Sequence, residues 1–143
     1  MNHLLDTNVI SELRKNTTRI DPAVASWAST LDVELQFLSA VTVFELELGI
    51  RRIERRDERQ AAVLWRWFDS AVLDAFAGRI LPVDLTVART ASRLHVPDPR
   101  PERDAFIAAT ALAHGLTVAT RNVADFGPTG VATVNPWDSS TPD

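Results

Sequence analysis

Short apolar runs alternate along this chain with longer stretches whose apolar residues recur at helical spacing. Leu4-Leu5 ends at Asp6-Thr7-Asn8, three residues that favour helix N-caps, and Val9-Ile10-Ser11-Glu12-Leu13 then follows with helical spacing. The pattern predicts strand, tight turn, helix. Asp21-Pro22 supplies an N-cap and a first-turn proline for a helix to about Leu31. Leu35 to Ala40 is apolar enough for a buried strand, and Thr42 to about Asp74 reads as helical with a break near Asp57 to Gln60. A third strand is expected over Arg79 to Val83 and another helix over Thr86 to Leu94. Pro97, Pro99 and Pro101 form a stiff connector.

From Asp104 to Ala113 the chain is apolar nearly all round, which predicts a buried helix, and Gly115 is its expected C-terminal stop. Leu116 to Thr120 reads as a strand, Asn122 to Phe126 as a turn or short helix, and Val131 to Val134 as a last strand. Strands alternating with helices imply a parallel sheet covered on both faces. No internal repeat or linker interrupts the pattern. Residues 1–143 therefore read as one domain, with a loose tail from about residue 138.

At 143 residues roughly two-thirds of the unfolded chain's surface can be buried, so one core suffices without staples. Cysteine is absent, which excludes disulfides, thiolate zinc sites, iron–sulfur clusters and cysteine nucleophiles. His3, His95 and His114 have no ligand-like spacing and read as structural. No Gly-x-Ser-x-Gly elbow and no Walker-type loop occurs. The start, Met-Asn-His-Leu-Leu-Asp, has no basic stretch before an apolar run, and no apolar stretch approaches ~18 residues. A cytoplasmic location is expected. The net charge of −4 argues against a broadly basic nucleic-acid surface but permits a local patch.

In a parallel α/β sheet the helix after each strand starts near the carboxyl edge, where ligands bind. Asp6 ends the first strand, Glu45 lies in the first turn after the second, Asp104 opens the buried helix, and Asp125 follows the strand ending at Thr120. Four acids from distant segments thus become candidates for one edge. Each also has a local explanation: Asp6 as an N-cap, Glu45 in a capping box with Thr42, Asp104 favouring a helix dipole, Asp125 in a cap with Asn122. Caps do not require convergence; a metal site does. Two carboxylates ~4 Å apart repel by about 1 kcal/mol in water and several times that at an effective dielectric of about 20. A converged cluster must protonate, separate or bind cations. All-oxygen donors suit a hard ion, Mg²⁺ or Mn²⁺, which can acidify a water and offset charge growing on a phosphate. Phosphodiester hydrolysis is the chemistry that follows.

Asp6-Thr7-Asn8 after a short strand, Ser-Ala-Val-Thr-Val-Phe-Glu over Ser39 to Glu45 with Gly49 following, Asp104 opening an Ala-rich helix, and Thr120-Arg121-Asn122-Val123-Ala124-Asp125-Phe126 together resemble PIN-domain ribonucleases. The resemblance spans nearly the whole chain and is nearest to the VapC and FitB-like toxins of bacterial toxin–antitoxin modules. It implies a three-layer α/β/α sandwich around a parallel sheet and Mg²⁺- or Mn²⁺-dependent endoribonuclease activity. It also implies homodimerisation, inhibition by a VapB-like antitoxin, and a heterotetramer or larger assembly with that antitoxin. By position, Asp6, Glu45, Asp104 and Asp125 would be the metal-binding acids, Thr120 and Asn122 supporting polar residues, and Asn8 the group orienting Asp6 or its water. Asp98 in the proline-rich connector is a spare for the fourth acid.

All basic residues except Lys15 are arginine. On an unbroken helix at about 100° per residue, Arg51, Arg52, Arg55, Arg56 and Arg59 fall within an arc of about 140°. This stripe reads either as a solvated face, helped by the Glu47–Arg51 pair, or as a track for RNA or an acidic antitoxin segment. Trp65, Trp67 and Phe68 cannot all face one way on a helix, so core packing, a dimer contact and an antitoxin groove stay open. Two other functions remain beside the nuclease. One is a haloacid-dehalogenase-like phosphatase, although Asn8 stands where its second acid belongs. The other is a catalytically silent binding module whose acids are only caps.

Overall fold

A computed structural model describes residues 1–138. The chain forms β1 (His3–Leu5), α1 (Thr7–Leu13), α2 (Pro22–Ser29), β2 (Gln36–Ser39), α3 (Ala40–Glu54), α4 (Glu58–Trp67), β3 (Ile80–Leu81), α5 (Leu85–Leu94), α6 (Glu102–His114), β4 (Thr117–Ala119), α7 (Val123–Phe126) and β5 (Thr133–Val134). The five strands lie in the order β3-β2-β1-β4-β5, and every pairing is parallel. The first strand is therefore central. His3 pairs with Gln36 on one side and with Thr117 on the other.

Period-two alternation divides the strand residues between two cores. Leu5, Leu38 and Ala119 pack with Val9, Leu46, Ile50, Leu64 and Phe68 from α1, α3, α4 and the segment after it. Leu4 and Val118 face the other way, onto Ile107, Ala108 and Ala111 of α6 and Phe126 of α7. The result is the expected α/β/α sandwich, with α6 buried along most of its length. Among the described residues no helix is long and apolar enough to cross a membrane.

Local signals set most boundaries. Asp21 accepts from Ala23 N and Val24 N to start α2 behind Pro22, and Asp84 does the same for α5 through Val87 N. Gly115 ends α6 with φ 67°, a left-handed conformation that glycine adopts without strain. The outer strands β3 and β5 are shorter than the apolar runs that predict them, because each has only one partner. The expected tail falls, beyond Asp138, outside the described residues.

The long helical segment carries the expected break, and the break decides where the arginines fall. It breaks at Arg55 to Asp57, where Asp57 caps α4 through Gln60 N. The premise of an unbroken helix therefore fails, and the five arginines are divided among α3, the turn and α4. Beyond Trp67 the helix widens, with Ala75 N bonding to Ser70 O five residues back. Phe68 is fully buried in the first core, Trp65 and Trp67 pack against its margin, and Trp65 meets Phe68 edge-on at 5.9 Å. All three aromatics thus serve one core.

Candidate active site

The carboxyl ends of β1 and β4 lie side by side at the centre of the sheet, and the site is built on them. Asp6 leaves β1 with its N–H bonded to Ala119 O at 2.9 Å and caps α1 by accepting from Thr7 N at 2.8 Å. Its other carboxylate oxygen accepts from Thr120 Oγ1 at 2.7 Å. Cap and site are therefore the same residue, and the two readings of Asp6 do not exclude each other. Thr120 is fully buried, so this bond operates away from water. Asn8 Nδ2 reaches both Asp6 Oδ2 and Thr120 Oγ1 at 3.5 Å, while Asn8 Oδ1 accepts from Arg121 N at 3.2 Å. Asn8 thus ties the two strand ends together.

Glu45 comes in from α3. Its Oε1 accepts from Thr7 Oγ1 at 3.0 Å, and Arg103 lies 3.7 Å from its Oε2. The capping box with Thr42 does not form, because α3 starts earlier, at a Ser39 cap that accepts from Val41 N. Thr42 is buried instead, and its hydroxyl has no hydrogen-bond partner among the described residues. Asp104 sits in the first turn of α6. Asp6, Glu45 and Asp104 line one cleft of about 480 Å³ together with Asn122.

Charge shows how closely the acids are associated. The Asp104 carboxyl is pushed up to about 6, first by burial and then by the negative charges of Asp6, Asp125 and Glu45. The N-terminal end of α6 would by itself favour the ionised form, so burial and the other acids together outweigh the helix dipole. Asp6 is also raised, mainly by burial and slightly by Asp125, although the Thr120 and Thr7 hydrogen bonds oppose the shift. Asp125 thus acts electrostatically on both carboxylates without lining the cleft. Its cap with Asn122 is only a backbone bond from Asp125 N, and the Asn122 side chain makes no capping bond.

Among the described residues no three acidic or histidine side chains are gathered tightly enough to enclose an ion by themselves. The donor chemistry nevertheless fits a hard cation: the cleft oxygens are carboxylate, hydroxyl and amide, and burial together with the neighbouring acids holds the Asp104 carboxyl above its usual value. Mg²⁺ commonly keeps several waters and takes only one or two protein carboxylates, which suits an open set of this kind.

The profile of the PIN domain matches residues 3–126. The chain belongs to the PIN-domain family. It is 39% identical to the VapC ribonuclease Y4jK of Sinorhizobium fredii, over 94% of this chain and 97% of that protein. It is 41% identical to toxin FitB of Neisseria gonorrhoeae over the same shares. The crystal structure of FitAcB from Neisseria gonorrhoeae superposes with a TM-score of 0.86 at 38% identity, covering 94% of this chain and 98% of that one.

Within this PIN domain several residues not singled out by sequence complete the cleft. Glu12 is buried, accepts from Lys15 Nζ at 2.9 Å and from Asp21 N at 2.8 Å, and has its carboxyl held below the usual range chiefly by the lysine. Arg14, Lys15, Arg121 and Trp137 line the same space. Thr7, which holds Glu45, was legible only as a cap former. Asp98 is exposed in the connector and does not line the cleft. Two of the histidines have structural contacts: His3 bonds Gln36 at 2.9 Å and meets Trp27 edge-on, and His95 Nδ1 accepts from Arg100 N. None of the five arginines around the α3–α4 break lines the acid cleft. Arg51 pairs with Glu47 and lies 5.2 Å over Trp65.

Proposed function

We propose that this PIN domain is a divalent-metal-dependent endoribonuclease acting as the toxin of a VapBC-type pair. The observation that carries the reading is convergence: Asp6, Glu45 and Asp104, from three distant segments, line one cleft, an arrangement caps do not require, and burial together with Asp6, Asp125 and Glu45 raises the Asp104 carboxyl to about 6. Asp6, Glu45 and Asp104 would hold Mg²⁺ or Mn²⁺, with Asp125 adding negative charge from behind. When bound, the ion supplies Lewis-acid stabilisation of charge growing on a phosphate and makes a nearby water more acidic.

The chain's own residues have separate tasks in this reading. Thr120 and Thr7 fix the Asp6 carboxylate, Thr7 also fixes Glu45, and Asn8 locks the loop after β4 that carries Asn122. Arg103, stacked 5.0 Å from Phe44, balances Glu45 from the outside. The partner would be a VapB-like antitoxin, as in the FitA and FitB complexes of the structural relatives, with homodimers joined into a heterotetramer or larger assembly. Such a pair would work in the cytoplasm.

The test is cleavage of total cellular RNA with mapped ends, in Mn²⁺ and in chelator. Wild type should cut internally only with the ion, and Asp104→Asn should lose at least about 100-fold in rate. A variant as fast as wild type would end the assignment. Release of inorganic phosphate from small phosphoesters, without RNA cuts, would favour a phosphatase instead.

A further inference from the structure

A cluster of acids alone repels a polyanion, so a nuclease built on one needs positive charge close by. The same cleft contains it. Arg14 and Lys15 end and follow α1, Arg121 follows β4, and all three are exposed. Arg14 lies 5.9 Å over Trp67 and Arg121 5.1 Å over Trp137, while Lys15 is held by Glu12. These supports orient the side chains before any ligand arrives, which lowers the entropic cost of binding. Glu12 pairs with Lys15, and Arg14 and Arg121 line the cleft beside that pair.

We infer that Arg14, Lys15 and Arg121 form a subsite for a phosphate neighbouring the scissile one in a single-stranded RNA. The inference rests on the ribonuclease reading and says where the strand lies. Guanidinium groups grip phosphate through paired N–H donors, and Lys15 adds a point charge. A strand fits better than an acidic peptide because the cations and the acids share one cleft. Successive phosphates can meet an ion at one end and arginines at the other, whereas a peptide's carboxylates would approach the acids directly.

Binding of a short fluorescein-labelled oligouridylate, followed by anisotropy against salt in Mn²⁺, tests the subsite. An Asp104→Asn background keeps the strand intact. Arg14→Gln and Arg121→Gln should each weaken binding about 10-fold at low salt and make the log–log salt slope shallower by ~0.7. Arg55→Gln, which removes the same charge at the α3–α4 break, should change neither. Unchanged affinity and slope in both cleft variants would overturn the proposal, as would an equal effect of Arg55→Gln. So would cleft variants that keep the oligouridylate but lose a labelled polyglutamate peptide, which would assign the surface to a protein partner. Cleavage of total RNA by otherwise wild-type protein is scored separately: its absence sinks the nuclease reading, while cleavage without a slope change sinks only the subsite.

Discussion

Thr120 Oγ1 donates to Asp6 Oδ2 at 2.7 Å, joining residues 114 positions apart inside a fully buried contact. Burial drives the Asp6 carboxyl up and this bond pulls it down. Thr120→Val should therefore leave Asp6 more readily protonated and weaken Mn²⁺ binding about 10-fold at neutral pH. Thr120→Ser should retain wild-type affinity. Calorimetric titration of the three proteins measures this, and equal affinities would remove Thr120 from the site.

A carboxyl raised in the folded state makes the ion-free protein less stable as pH increases. Asp104 moves from 3.8 to about 6, so between those values the folded chain binds more protons than the unfolded one, and stability falls through that window and levels off above it. The full shift would correspond to ~3 kcal/mol, which partial exposure of Asp104 reduces to about 1 kcal/mol. In chelator, Asp104→Asn should exceed wild type in stability by about that amount at neutral pH and lose its advantage toward pH 4. Added Mn²⁺ should raise the wild-type Tm more at neutral than at acid pH.

Glu12 has the opposite sign. Its carboxyl is held low by Lys15 and Asp21 N, so the stability it adds is present at neutral pH and is lost on acidification through its folded-state value. Glu12→Ala should cost about 1.5 kcal/mol in urea unfolding at neutral pH, because it removes the Lys15 pair and the acceptor that couples α1 to the start of α2. An unchanged midpoint would show that the contact is dispensable.

Thr42→Val tests a different balance. The buried hydroxyl has no partner among the described residues, so an apolar side chain of equal shape should stabilise the domain by about 1 kcal/mol. Destabilisation in the same urea assay would mean that the hydroxyl is satisfied in solution.

Asp6, Glu45 and Asp104 were legible as cleft residues because a parallel sheet sends the chain after each strand to the same edge. Asp125 was legible as an acid, but its effect is electrostatic and depends on a loop conformation that spacing does not encode. The cationic flank was hidden for a related reason. Arg121 and Trp137 meet only because β4 and β5 are neighbours, and Arg14 and Lys15 look like any solvated helix end. Around Arg55 the turn acids decide the outcome: Asp57 caps a new helix and disperses an arginine stripe that an ideal helix would have kept together. The Thr42–Glu45 box failed over a few residues of register, since Ser39 captures the helix start first.

The central position of β1 has a consequence during synthesis. Asp6 is made more than a hundred residues before the threonine that holds it and the strand beside it. A growing chain therefore cannot assemble the cleft until translation has passed Thr120, so a ribosome making this enzyme is not exposed to a working nuclease from its own half-made product.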